Sequence, residues 1–151
     1  QVGNEEEKKY FKLLQEYVTS KSLDNVIKLE KNIPHTKMSN LYLAHDVFVL
    51  TSKRETASIA ILEAMANGLV TISTDANGTA CYIRQGECGY LFKTMDKESL
   101  AETLRKVIES KESIVKMGRM AYLDVKDNYS FENYYTKLRD LVRKEFGLWS
   151  F

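Results

Sequence analysis

The sequence predicts an α/β fold: a parallel sheet covered by helices on both faces. An unbroken β-rich apolar run, Val47-Phe48-Val49-Leu50-Thr51, points to it, and Leu69-Val70-Thr71-Ile72-Ser73 reads as another buried strand. A strand with one wet face alternates apolar and polar residues, whereas a run without alternation is covered on both sides, as in parallel sheets. Segments of helical period lie between and around these runs, and strands alternating with helices imply parallel pairing through right-handed crossovers.

Taken in order, the first element is a helix. Tyr10, Phe11, Leu13, Leu14, Tyr17 and Val18 recur at three- and four-residue steps, behind an acidic first turn that suits a helix N-terminus. Val26-Ile27-Lys28-Leu29 reads as a short strand, and Lys37 to Ala44 as a short helix. Val47–Thr51 is the first fully covered strand. Ile59 to Asn67 is a helix, stopped by Gly68 at the position that favours a left-handed residue. Leu69–Ser73 is the second covered strand. Tyr90–Phe92 is a last short one, after the turn Gly86-Glu87-Cys88-Gly89. Helices over Lys97–Ser110, Ile114–Asp127 and Phe131–Phe146 close the chain.

Composition narrows the function classes. A chain of 151 residues, 44% hydrophobic and 28% charged, can bury roughly 68–70% of its unfolded surface without staples. Twenty-two basic residues against 21 acidic ones give a net charge of +1, which offers no electrostatic reason for nucleic acid as a partner. No apolar run approaches the ~20 residues that cross a membrane. Gln1 to Glu7 is acidic and does not resemble a secretion leader. Cys81 and Cys88 are not at zinc-ligand spacing and are too few for a disulfide scaffold; they read as free thiols of a cytoplasmic protein. His35 and His45 have no metal-ligand spacing with any cysteine or with each other. Neither a G-x4-G-K-[ST] phosphate loop nor a G-x-G-x-x-G dinucleotide fingerprint occurs.

In open parallel sheets ligands sit beyond the carboxyl ends of the strands. Two loops qualify: Ser52-Lys53-Arg54-Glu55-Thr56-Ala57-Ser58, and Asp75-Ala76-Asn77-Gly78-Thr79. The first feeds Ile59-Ala60-Ile61-Leu62-Glu63-Ala64-Met65-Ala66, apolar on every face except at Glu63. A helix apolar all round is a buried helix, and a carboxylate inside it requires a hydrogen-bonding partner. Glu63 lies little more than one turn from the helix start, where free N–H groups and the helix dipole suit a phosphate. Lys53 and Arg54 add positive charge at the same mouth. Carboxylates accept paired hydrogen bonds from vicinal hydroxyls, so the arrangement suits a diphosphate flanked by two polyols. The bland alternative makes Glu63 a satisfied core carboxylate and Glu55 a solvated loop charge.

Glu55 and Glu63 enclose seven residues, E-x7-E. Around them stand A-x-D-x-F-V-x-x-S (Ala44 to Ser52), L-E-A-M-A-x-G (Leu62 to Gly68) and T-D-x-x-G-T (Thr74 to Thr79). This texture resembles the donor-sugar half of the family-four, group 1, retaining glycosyltransferases of the GT-B fold. The resemblance continues through Gly86-Glu87-Cys88-Gly89-Tyr90-Leu91-Phe92 to Tyr129-Ser130-Phe131-Glu132, and back to Gly3-Asn4-Glu5. It departs from the family at Thr56-Ala57-Ser58, where Gly-aromatic-Gly is usual, at Val70, where Pro is usual, and near Cys81, where an acidic residue is common.

The resemblance implies a Rossmann-like sheet and residues 1–151 as a C-terminal nucleotide-sugar-binding domain, incomplete at its N-terminus and lacking the N-terminal acceptor domain. It implies sugar transfer from a nucleotide-diphosphate sugar with retention, in polysaccharide or glycoconjugate biosynthesis, without metal or other cofactor. Glu55 would meet the donor sugar near the reacting carbon. Thr56, Ala57, Ser58 and Ile59 would offer backbone amides to sugar and diphosphate. Glu63 would hold the ribose hydroxyls, Gly78 and Thr79 would shape the opposite wall, and Lys53 and Arg54 would contact phosphate. The Arg…Lys pair that grips the diphosphate in the family lies on segments not seen here, so this chain alone is expected not to transfer sugar. Further expectations are peripheral membrane association of the full-length enzyme at the inner face, and self-association through the exposed edge of Val47–Thr51. Alternative readings are a GT-B-fold sugar-nucleotide epimerase or a non-catalytic α/β nucleotide-binding module.

Overall fold

Each apolar run lies where a strand is needed, with one exception near the start of the chain. The computed structural model describes residues 5–76 and 78–147, so Gly3, Asn4 and Asn77 of the motifs above lie outside the described residues. The chain divides into two units, residues 1–37 and 38–151.

In the first unit, α1 (Glu5–Ser20) begins with Glu5, Glu6 and Glu7, which complement its N-terminal dipole. The exception follows it. Val26–Leu29 is not a strand. The amides of Val26 and Ile27 both donate to the Leu23 carbonyl, at 2.9 and 2.8 Å, and Leu23 N–H returns to Val18 O at 3.0 Å. The Thr19 hydroxyl donates to the Asp24 carboxylate at 2.7 Å. These local turns consume the donors that a sheet ladder would use, and Val26 stays exposed. Further on, the Lys31 ammonium lies 4.7 Å from the Phe11 ring centre, a cation–π contact within this unit.

The chain continues through α2 (His35–Leu43), β1 (Val47–Leu50), α3 (Ile59–Ala66), β2 (Val70–Thr74), a 3-10 turn (Gly78–Tyr82), β3 (Gly89–Phe92), α4 (Lys97–Glu109), α5 (Lys111–Asn128) and α6 (Phe131–Phe146). The strands form one parallel sheet in the order β1-β2-β3, as the covered runs require. Val47 faces Val70 across the first pair, and Thr71 faces Gly89 across the second. All five residues of the central strand β2 are buried.

Alternation along the strands divides the core into clusters. Val47, Val70, Ile72, Tyr90 and Phe92 pack with Leu100, Leu104 and Val107 of α4 and Met117 of α5. Phe48, Leu50 and Leu91 pack instead with Ile61 and Met65 of α3, Ile83, Cys88 and Ala121. Helix α3 is buried along Ile61, Ala64 and Met65, but Ile59, its first residue, is 72% exposed. The expectation of burial all round therefore fails at both ends of the helix, at Ile59 beside the loop after β1 and at the exposed Ala66.

Gly68 has φ +77° after the C-cap Asn67, the left-handed stop expected there. Its carbonyl lies against α5: a Cβ added at Gly118 would stand 2.0 Å from Gly68 O. The close α3–α5 packing thus depends on a missing side chain. Gly118→Ala should lower unfolding free energy by about 1–3 kcal/mol through overpacking, despite the ~1 kcal/mol that alanine gains over glycine in a helix. Urea denaturation measures the difference. A second test concerns Thr71, whose buried Oγ1 has no hydrogen-bond partner among the described residues. Thr71→Val should raise the urea midpoint, by about 1 kcal/mol in stability, with an unchanged slope.

Candidate functional site

Because the strands are parallel, the loops leaving β1 and β2 emerge at the same end of the sheet. Among the described residues, hydrogen bonds fasten them together. Thr74 Oγ1 at the end of β2 donates to Ser52 O at 2.8 Å, and Gly78 N–H donates to Glu55 O at 2.8 Å. A Cβ on Gly78 would stand 1.8 Å from Thr56 O, so only glycine permits this approach. Between the two loops lies an open cleft of ≈ 650 Å³ lined by Arg54, Glu55, Thr56, Asp75, Ala76 and Gly78.

Of the residues expected from the sequence, Arg54, Glu55, Thr56 and Gly78 thus meet in one cleft. Lys53 and Ala57 are exposed on the same loop. Ser58 is buried and occupies the N-cap of α3 in extended backbone, but its side chain makes no capping bond. At α4 and α6, by contrast, Asp96 accepts from Ser99 N–H and Ser130 from Asn133 N–H. The first amides of α3 therefore receive no cap from this side chain, and such amides are what an anion requires. Thr79 is turned inward. It is fully buried, with Oγ1 3.1 Å from Ser73 Oγ, and it supports the loop rather than lining the cleft.

Glu63 is the fifth residue of α3 and half-buried. Its Oε2 accepts the Tyr42 hydroxyl at 3.0 Å. Tyr42, from α2, is buried, and its hydroxyl is pushed up to about 12, first by burial and then by the Glu63 carboxylate. The phenol therefore stays a proton donor at neutral pH.

Asp75, which the sequence reading left unassigned, is the second carboxylate of the cleft. Thr94 N–H and Thr94 Oγ1 both donate to its Oδ1 at 2.9 Å, and Asp75 N–H donates to Phe92 O at 2.9 Å. This clasp ties the β2 loop to the end of β3. T-D alone carries no signal for it, because Thr94 is 19 positions away. Behind the site, Arg84 pairs with the buried Asp124 carboxylate, which also accepts from Asn128 Nδ2 at 2.7 Å. The pair anchors the segment after the 3-10 turn to α5.

Residues 2–124 match the sequence profile described as Glycosyl transferases group 1. The chain belongs to the group 1 glycosyl transferase family. A sulfoquinovosyl transferase of Arabidopsis thaliana is 31% identical over 107 residues, covering 69% of this chain and 21% of that protein. Among solved structures of the fold, the C-terminal domain of a group 1 glycosyl transferase from Francisella tularensis aligns with TM-score 0.77 at 25% identity, over 85% of this chain and 66% of that one. The Anabaena protein HepE, solved in complex with UDP-glucose, aligns with TM-score 0.79 at 21% identity, over 91% of this chain and 38% of that one. The chain spans between 21% and 31% of the length of three curated relatives that it matches. Among its described residues, no helix is long and apolar enough to cross a membrane.

The clasp in this group 1 chain has a titration signature. Bonds from the Thr94 backbone N–H, then from its hydroxyl, hold the Asp75 carboxyl below its ordinary value of 3.8. A depressed folded value means that the contribution to stability is complete above the unfolded pKa and fades as pH falls through the folded one. Thr94→Val should move the Asp75 titration upward toward the ordinary value, read by carboxyl carbon NMR, and should narrow the acid range over which the loop stays ordered.

Proposed function

We propose that this chain is the donor-binding domain of a glycosyltransferase that moves a sugar from a nucleoside-diphosphate sugar to an acceptor held by another part of the protein, with retention at the anomeric carbon. The observation that carries this reading is the juxtaposition of Arg54 and Glu55 in one cleft at the start of α3, with Glu63 one turn into the same helix. The complex of the Anabaena neighbour with UDP-glucose supports a donor of this class.

In this reading the diphosphate meets the first amides of α3, with Arg54, and Lys53 beside it, supplying positive charge. As the glycosidic bond breaks, negative charge grows on the leaving diphosphate. Fixed donors and cations stabilise it more in the transition state than in the ground state, which serves the purpose a metal would serve. Glu55 accepts donor-sugar hydroxyls close to the reacting carbon. The amides of Thr56, Ala57, Ser58 and Ile59 orient sugar and phosphate, and Glu63 accepts the two ribose hydroxyls. Gly78 lets the opposite wall approach, and Thr79 holds that wall from behind. The side chain of Thr56, where the family commonly has glycine, narrows the sugar pocket. A cytoplasmic place of action, at or free of the inner membrane face, belongs to the same reading and agrees with two free cysteines.

The two glutamates should separate. Glu63→Ala should weaken binding of the free nucleotide by tenfold or more, given roughly 1.5–3 kcal/mol for a hydrogen bond to a charged group. Glu55→Ala should leave that affinity within about threefold and lower sugar transfer by the full-length enzyme ~10²-fold or more, as for loss of a group acting at the reacting centre. Isothermal titration with the nucleotide and a labelled-sugar transfer assay read the two effects. Unchanged nucleotide affinity in Glu63→Ala overturns the ribose assignment.

A further inference from the structure

A carboxylate that receives two vicinal hydroxyls must present its lone pairs in a fixed plane, yet a glutamate side chain has three rotatable bonds. In this fold something holds Glu63. Tyr42 reaches it from α2, 21 positions earlier, through a 3.0 Å hydrogen bond to Oε2. The tyrosine ring is itself immobilised. It packs with Ala64 and Leu69 and against Met38 and Phe48, and meets Phe48 edge-to-face at a centroid distance of 5.9 Å. With the ring fixed, only rotation about the C–O bond remains, so the hydroxyl oxygen has a defined place from which to donate.

The chemistry of the holder matters as much as its position. A lysine or arginine there would neutralise the carboxylate and compete with the ligand's hydroxyls. A buried phenol donates one hydrogen bond and leaves the full negative charge on Glu63. It also takes a single lone pair of the four or so on the two oxygens, so the hold sets geometry at the smallest cost in acceptor capacity.

Resting on the nucleotide-sugar reading above, we infer that Tyr42 is a positioning residue for the donor: its hydroxyl sets the plane of the Glu63 carboxylate that receives the ribose hydroxyls. Preorganisation of this kind raises affinity by removing an ordering cost from binding. Tyr42 makes no contact with the ligand in this account; it acts through Glu63 alone.

The test titrates this chain with UDP, GDP and ADP, selects the tightest, and repeats the titration with its 2′,3′-dideoxy analogue. The proteins compared are the unmutated chain, Tyr42→Phe, Glu63→Gln and the double variant, each checked for folding by circular dichroism and thermal melting. Tyr42→Phe keeps the ring contacts and should weaken the ribonucleotide about five- to tenfold. It should change affinity for the dideoxy analogue less than about twofold, and add no further loss once Glu63 is glutamine, since coupled residues are not additive. Placing 4-aminophenylalanine at position 42 retains a donor on the same ring and should restore most of the loss; it also serves where the phenylalanine variant does not fold. If Glu63→Gln weakens binding and Tyr42→Phe does not, the positioning role falls while the ribose reading stands. Equal losses for ribose and dideoxy ligands make Tyr42 a packing residue only and overturn the inference. If Glu63→Gln changes nothing, or the unmutated chain binds none of the three nucleotides, the donor-site reading falls and the inference falls with it.

Discussion

The burial of β2 is the constraint on which the second unit depends. Its residues Val70–Thr74 are all buried, so a strand must lie at each edge and helices must cover both faces. The neighbouring strands β1 and β3 run parallel to it, and parallel strands reached through crossovers release their following loops at the same end. The cleft is a consequence of that arrangement. The strand also carries hydroxyls where a purely hydrophobic one would not: Ser73 meets Thr79, and Thr74 holds the Ser52 carbonyl. A buried hydroxyl is tolerated when it has a partner, and here the partners are the two loops that form the cleft walls.

Glycine completes what the hydroxyls begin. At Gly78 the backbones of the two loops approach more closely than any Cβ allows, and at Gly118 helix α5 meets the turn after α3 in the same way. The first contact shapes the cleft. The second seats α3, which carries Glu63, against α5, the longest helix among the described residues. Both are backbone approaches, and neither has a side chain that would reveal it in a periodicity pattern.

Charge is distributed sparingly around the cleft. Arg54 lines it together with two carboxylates, Glu55 and Asp75; Asp75 already receives two hydrogen bonds from Thr94. Glu63 has a neutral donor, Tyr42. The strong ion pair lies elsewhere: Asp124, almost wholly buried, with Arg84, which is 43% exposed. Burying a carboxylate requires a partner, and the outcome is an anchor between α5 and the segment leaving the 3-10 turn, outside the cleft lining.

The strands Val47–Leu50 and Val70–Thr74, the helices after them and the Gly68 stop were legible in the sequence, because apolar runs, helical period and left-handed glycine are local properties of the chain. So were the positions of Glu55 on the loop after the first strand and of Glu63 inside the following helix, whose spacing and surroundings carry the family texture. Val26–Leu29 misled, because its β-branched composition says nothing of the Leu23 carbonyl that captures its amides. Tyr42, Asp75 with Thr94, and the inward turn of Thr79 were decided only by tertiary structure. Each depends on a hydrogen bond between residues brought together by the fold, over separations of 21, 19 and 6 positions. A linear pattern shows which residues can donate and accept; the packing of α2 on α3, and of the β2 loop on its neighbours, determines which of them meet.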